Sequence, residues 1–293
     1  MALTAPCTRL TARVSCAAPQ AALTLSATRS HFRGGCIHQV QRQSRRTRLS
    51  LAVRAGAYMS KPKGDVGTFE WRVFVEEKGK QVSPWHDIPL RAEGGLLNAI
   101  IEIPKESSPK LEVATDEPNN PIKQDTKKGK LRNYPYNINW NYGMFPQTWE
   151  DPDISNSELG GVAGDNDPVD VVEIGSKALE TGGVYQVKPL AILAMIDDGE
   201  LDWKVIAIHS EDPKASSVND VEDVEREFPG EIEKIRTWFQ DYKIPDGKPA
   251  NVFGYDNKPQ NKAFTLKVIE ETHEAYNKLK QGKRANSEEL ALA

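Results

Sequence analysis

Apolar and polar positions alternate along TFEWRVFVEE (68–77) as they do in a half-buried strand. LLNAIIEI (96–103) and KLEVAT (110–115) predict two further strands, set apart by Pro104 and Pro109. VDVVEI (169–174), VYQVKPLAILAMI (184–196) and DWKVIAIH (202–209) are rich in β-branched residues, so the middle of the chain is predicted to be sheet. Helical spacing begins later. DVEDVEREF puts Val221, Val224 and Phe228 on one face, with Asn219 as the expected N-cap and Glu222 at capping-box spacing. A second helix is predicted over 230–242 with Ile232, Ile235, Trp238 and Phe239 inward, and a third over about 260–280 with Ile269, Tyr276 and Leu279 near helical spacing. Strands first and helices afterwards predict an α+β, mainly β fold around a small closed or partly closed sheet.

Two stretches show neither period. NNPIKQDTKKGKLR (119–132) and NYPYNINWNYGMFPQTWEDP (133–152) read as long loops, which in a compact domain are usually functional. The amino-terminal region changes the picture differently. Met1 to Gly64 hold no Asp or Glu but nine Arg plus Lys61 and Lys63, in a Ser/Thr/Ala-rich background. That composition predicts a transit peptide over 1–55, excluded from the fold, with LAVRAGAYM offering a cleavage point after Ala55. The Ser/Thr/Ala start favours chloroplast stroma, with mitochondrion as runner-up and a basic arm for RNA or a partner as the other reading. A catalytic domain over 66–282 and a flexible tail over 283–293 are expected to follow.

Cys7, Cys16 and Cys36 all fall in the leader, so the body has no thiol for disulfides, thiolate zinc sites or iron–sulfur clusters. From Asp65 onward 27 basic residues face 42 acidic ones, about −15, a charge that repels polyanions and argues against nucleic acid as a partner. Mean hydropathy is −0.57 and no apolar run spans a bilayer, so no membrane partner is expected.

GDNDPVDVVEIG (164–175) crowds Asp165, Asp167 and Asp170 together. At roughly 4 Å and an effective dielectric near 20, each like-charge pair costs about 4 kcal/mol, so the group is either a solvated acidic turn or is neutralised by something. An EF-hand starting at Asp165 fails, because its fifth, sixth and twelfth positions are Val169, Asp170 and Ser176. Pro168 bends the chain so that the three carboxylates can share one space. DDGELDWK (197–204) joins two strong strands and reads either as a hairpin turn or as a second source of ligands, Asp197 and Asp202, for one oxygen-rich pocket. Oxygen donors favour Mg2+, or Mn2+, working together with phosphate groups. Lys110, Arg132, Lys204 and Lys243 stand in separate loops or strand starts as candidate phosphate binders. His86, His209 and His273 are too scattered to make a ligand set, and no P-loop or dinucleotide-binding glycine motif occurs.

With these residues in view, the chain resembles the soluble family I inorganic pyrophosphatases of eukaryotic type. GDNDPVDVVEIG fits the family's D-[SGDN]-D-[PE]-[LIVMF]-D signature, and the resemblance extends through EIP, KLEV, NPIKQDTKKGKLR, NYGMFPQTWEDP, DDGELDWKVIAI, NDVEDVEREFPG and WFQDYKIPDGKPAN, from about 68 to 280. It implies a five-stranded OB-like β-barrel with flanking helices, and Mg2+-dependent hydrolysis of pyrophosphate to two phosphates by a metal-bridged hydroxide, drawing biosynthetic reactions forward. By matched positions, Asp165, Asp170 and Asp202 would hold a tight activating ion, Asp170 reaching a second. Asp197 and Asp202 would share an ion arriving with substrate, Glu112 would help with a further one, and Glu102 would support the rim. Asp167 would take the proton of the attacking water, while Lys110, Arg132, Tyr142, Lys204, Tyr242 and Lys243 would grip phosphate oxygens. Many relatives carry a second tyrosine four residues before Tyr142, and here that position is Ile138, with Tyr134 and Tyr136 nearby. Monomer and homodimer both fit the sequence. The competing class is a non-catalytic OB-type module binding oligonucleotides through aromatics and lysines.

Overall fold

A computed structural model of the chain describes residues 58–292. The expected leader over 1–55, its cysteines and its cleavage point lie outside the described residues. Nine strands position the site: β1 (Tyr58–Lys63), β2 (Arg72–Glu77), β3 (Leu97–Ile103), β4 (Leu111–Val113), β5 (Ile122–Gln124), β6 (Asn141–Met144), β7 (Asp170–Glu173), β8 (Val184–Asp197) and β9 (Glu200–His209). Three α-helices follow them: α1 (Val221–Glu227), α2 (Glu231–Asp241) and α3 (Lys262–Lys280).

Five of the strands close on one another. β9 pairs with β7, β7 with β6, β6 with β3 and β3 with β8, and β8 returns to β9. Closure is possible because β8 is 14 residues long: Val184 to Val187 pair with β3, while Val187 to Asp197 pair with β9 across an irregularity at Pro189 to Ala191. The five-stranded barrel with helices outside is therefore observed, and β1, β2, β5 and β4 form a smaller sheet beside it. Because β1 pairs with β2 over its whole length, the folded unit begins before residue 66, the boundary expected from sequence.

β8 and β9 carry near-continuous apolar runs because both their faces are buried. Along β9, Leu201, Trp203, Val205 and Ala207 join one apolar cluster with Val268 and Ile269 of α3. Ile206 and Ile208 join the other, with Ile232, Ile235, Trp238 and Phe239 of α2. Asp202 and Lys204 continue that second row, since alternate residues of a strand share a face.

The stretches expected as loops contain strands. β5, a short hairpin of Thr126–Lys127 with Lys130–Leu131, the strand Asn133–Ile138 and β6 all lie within 119–144. Their period is hidden because polar side chains are buried among the apolar ones. Asn141 is fully buried, donating to Glu173 at 2.7 Å and accepting from the Lys105 and Leu179 N–H groups at 3.0 and 2.8 Å. Gly143 is required by packing, since a Cβ there would sit 1.9 Å from the Ile100 carbonyl oxygen. α1 also differs in detail: its N-cap is Asp220, whose carboxylate accepts from the N–H groups of Val221 and Lys262, both at 2.8 Å. The reach-back comes from Asp223 to the Asn219 N–H at 2.7 Å.

The tail expected to be flexible over 283–293 is anchored at points, with Lys283, Ala285 to Ser287 and Glu289 exposed between them. Leu290 is buried, and Ala291 donates to the Thr115 carbonyl at 2.8 Å and accepts from Asn120 at 3.1 Å. Its carbonyl also lies 3.0 Å from Nε2 of His86, whose Nδ1 is 3.0 Å from the Tyr276 hydroxyl. Burial pushes the His86 imidazole down to about 4. A histidine held neutral in the fold but titrating near 6.5 when unfolded supports the fold fully above pH 6.5 and loses that support as pH falls toward 4. We predict that the unfolding free-energy difference between the native chain and His86→Gln narrows by about 3 kcal/mol from pH 7 to pH 4 in urea titrations. A pH-independent difference refutes this.

Candidate active site

Strand register builds the centre of the site. β7 and β9 run parallel with Asp170 beside Lys204, and Asp202, two residues earlier, shares the Lys204 face. Tyr142 on β6 stands opposite Val172, which makes it the diagonal neighbour of Asp170. The Lys204 ammonium, 2% exposed, consequently donates to both Asp170 and Asp202 and lies 2.9 Å from the Tyr142 hydroxyl, which itself donates to Asp170. Burial alone would lower the Lys204 pKa, but Asp170 and Asp202 outweigh it and hold it well above the usual lysine range. The fold thus sets a cation of its own among the acids.

The Asp197 to Glu200 turn is the hairpin that DDGELDWK could form, and it also leaves Asp197 and Asp202 facing one cavity. Asp198 and Gly199 both have positive φ, 50° and 97°, and Asp197 pairs with Glu200, as in a tight hairpin of primed type. The same turn delivers Asp197 to Lys243, and to the Tyr242 hydroxyl at 3.1 Å, both at the carboxyl end of α2. In the other acidic segment, Asn166 adopts φ 76° and the Asp167 N–H donates to Asp165 Oδ1 at 3.1 Å. This local turn, followed by Pro168, aims Asp165, Asp167 and Asp170 into one cavity.

That cavity, of about 170 Å³, is lined by all thirteen side chains singled out from sequence: Glu102, Lys110, Glu112, Arg132, Tyr142, Asp165, Asp167, Asp170, Asp197, Asp202, Lys204, Tyr242 and Lys243. A larger hollow of about 390 Å³ lies between α3 and Trp203, lined by Trp149, Trp203, Tyr255 and Phe264 with Lys267, Glu271 and Lys278 of α3, and it holds none of the thirteen. Lys110 pairs with Glu112 at 2.5 Å and Asp125 at 3.2 Å, and Arg132 pairs with the same Asp125 at 2.9 Å. Crowding and burial shift the acids together. Burial, then Glu112, pushes Asp167 up to about 7. Burial, then Asp170, takes Asp202 to about 8 against the pull of Lys204. Asp165 is raised by burial and by Asp202, and Glu102 by burial and Asp170.

Sequence reasoning gave no role to Glu150 or Asp125, and named Tyr134 only beside Tyr136 as a stand-in for the tyrosine that Ile138 replaces. Glu150 is buried, receives the Trp203 N–H at 3.3 Å, and is driven upward by burial and by Asp165. Tyr134 lines the cavity, edge-on to Trp238 and Tyr242, and burial raises its hydroxyl to about 12. Ile138 is fully buried in the apolar cluster and Tyr136 is exposed against Trp238, so neither reaches the cavity. His86, His209 and His273 stand apart from it.

Among the described residues no three acids, histidines or cysteines are gathered as a ready ligand set for a metal. Lys204 and Lys243 hold Asp170, Asp202 and Asp197. The all-oxygen donor set, with several acids raised by burial and then by one another, nonetheless suits a hard divalent cation. Removing one partner of a buried pair leaves the other uncompensated. We predict that Lys204→Met lowers stability in divalent-free buffer by about 3 kcal/mol in urea unfolding, and an unchanged midpoint would refute the pairing.

Comparison with known proteins agrees with this chemistry. The family model described as inorganic pyrophosphatase matches residues 99–277. A soluble inorganic pyrophosphatase 1, chloroplastic, from Chlamydomonas reinhardtii is 69% identical over 236 residues, 80% of this chain and 84% of that one. A soluble inorganic pyrophosphatase 6, chloroplastic, from Arabidopsis thaliana is 55% identical over 277 residues, 93% and 92% of the two chains. The crystal structure of a type I inorganic pyrophosphatase from Toxoplasma gondii superposes with a TM-score of 0.74 at 46% identity, covering 76% of this chain and 99% of that one. These matches set aside the reading as a non-catalytic oligonucleotide module, and the chain belongs to the inorganic pyrophosphatase family, enzymes that hydrolyse pyrophosphate.

Proposed function

We propose that the chain hydrolyses pyrophosphate with Mg2+ as its cofactor, Mn2+ being a substitute, in the cavity closed by β6, β7, β9 and α2. What supports the reading is the convergence of acids and cations from separate segments on one small space. Asp165, Asp170 and Asp202 would hold the tighter ion, Asp170 would reach a second, Asp197 would join Asp202 for another, and Glu112 would serve a further one, with Glu102 behind it. Bound there, divalent cations lower the pKa of water toward neutrality and neutralise phosphate charge.

The remaining work falls to side chains. Asp167, with its pKa drawn up by burial, is suited to accept the proton of a water attacking phosphorus. Lys110 and Arg132, which share Asp125, present two cations to phosphate oxygens. Lys204, Lys243, Tyr142 and Tyr242 do the same from the opposite wall, and the neutral tyrosine hydroxyls donate hydrogen bonds. Tyr134 contributes a further hydroxyl on the Lys110 and Arg132 side. Together they stabilise charge on the departing phosphate, the main demand of phosphoryl transfer.

Phosphate release from pyrophosphate is expected to need Mg2+, to stop with EDTA, and to fall about 100-fold or more in kcat for Asp167→Asn. Chelator-insensitive release, or near-native turnover of that variant, would overturn the assignment. The basic, acid-free leader and the two chloroplastic relatives support a plastid stromal enzyme that removes pyrophosphate made by biosynthesis. Organelle fractionation should place the protein in the stroma, and its recovery in mitochondria or cytosol would refute that location.

A further inference from the structure

The segment after α3 reaches the chain behind the acidic loop. Arg284, 13% exposed, sets Nε and Nη2 each 3.2 Å from Oδ1 of Asp151. Nη2 also lies 2.9 Å from Asp153 and 2.8 Å from Glu288, and the guanidinium covers the Trp149 ring at 5.2 Å. Asp151 is buried, so this pairing is shielded from solvent.

On its other side the strip Trp149 to Asp151 is bonded to the loop carrying Asp165 and Asp167. The Glu150 N–H donates to the Asp167 carbonyl and the Asn166 N–H donates to the Glu150 carbonyl, both at 2.9 Å. Trp149 Nε1 donates to Asn166 Oδ1 at 3.0 Å. Gly164 lies so close that a Cβ would sit 2.4 Å from the Glu150 carbonyl oxygen. These contacts tie the strip to the loop.

We propose that Arg284 is a positioning residue for the Asp165 to Asp170 loop: it fixes the strip from behind and thereby sets where these carboxylates stand when they bind a cation. The proposal rests on the Mg2+ reading above. Supporting groups behind metal ligands typically contribute 10- to 100-fold in metal affinity. Arginine suits the task because one planar group sets two N–H donors on Asp151 while lying over Trp149, and lysine has no such planar group.

The test is calorimetric titration of MgCl2 into the full chain after EDTA treatment and desalting. Arg284→Ala is expected to bind Mg2+ about tenfold more weakly, and Arg284→Lys to be weakened less. Arg91→Ala, which removes an exposed pair with Glu270 on α3, should bind as the native chain does. Melting temperature separates positioning from bulk stability: the deficit of Arg284→Ala should grow in saturating Mg2+, because ligand-linked stabilisation is what it loses. Native Mg2+ affinity in both Arg284 variants would overturn the proposal, and Arg284→Lys carries the measurement if the alanine variant does not fold. Failure of the native chain to bind Mg2+ would instead count against the cofactor reading itself.

Discussion

The parallel pairing of β7 with β9 is the constraint from which the site follows. It puts Asp170 beside Lys204 and leaves Asp202 on the same face two residues away. A buried ammonium is tolerable only with partners, and a buried cluster of carboxylates only with a cation. Each supplies what the other lacks. The Tyr142 hydroxyl closes the arrangement by bonding to both, and the remaining acids are arranged around this neutralised centre with raised pKa values.

Much of this was legible in the sequence because the strongest strands alternate or run apolar in the expected way. β3, β8 and β9 lie where the apolar runs are, and α2 buries the four residues that helical spacing named. The site was legible for a different reason. Acids crowded as they are at 165–170 repel one another, so charge density pointed to the cavity where periodicity could not.

What stayed hidden was hidden by buried polarity. β6 begins with Asn141, a fully satisfied core amide, so its four buried residues show no apolar period. Glu150 and Asp125 carry no spacing that marks them: one is caught under Trp203, the other between Lys110 and Arg132, and both relations arise only after distant strands meet. The polar segment after α3 read as a tail because its anchors are Asp151, Thr115, Asn120 and His86, none of them local.

The ring of strands has one more consequence. Asp170 and Asp202 sit on strands separated by the whole of β8, and they become neighbours only when that strand has turned back to complete the circle. An incompletely folded chain therefore keeps Asp202 apart from the Asp165 to Asp170 segment and leaves Lys204 without its Asp170 partner. The buried ion pair of Lys204 with Asp170 is in this way a report that the ring has closed.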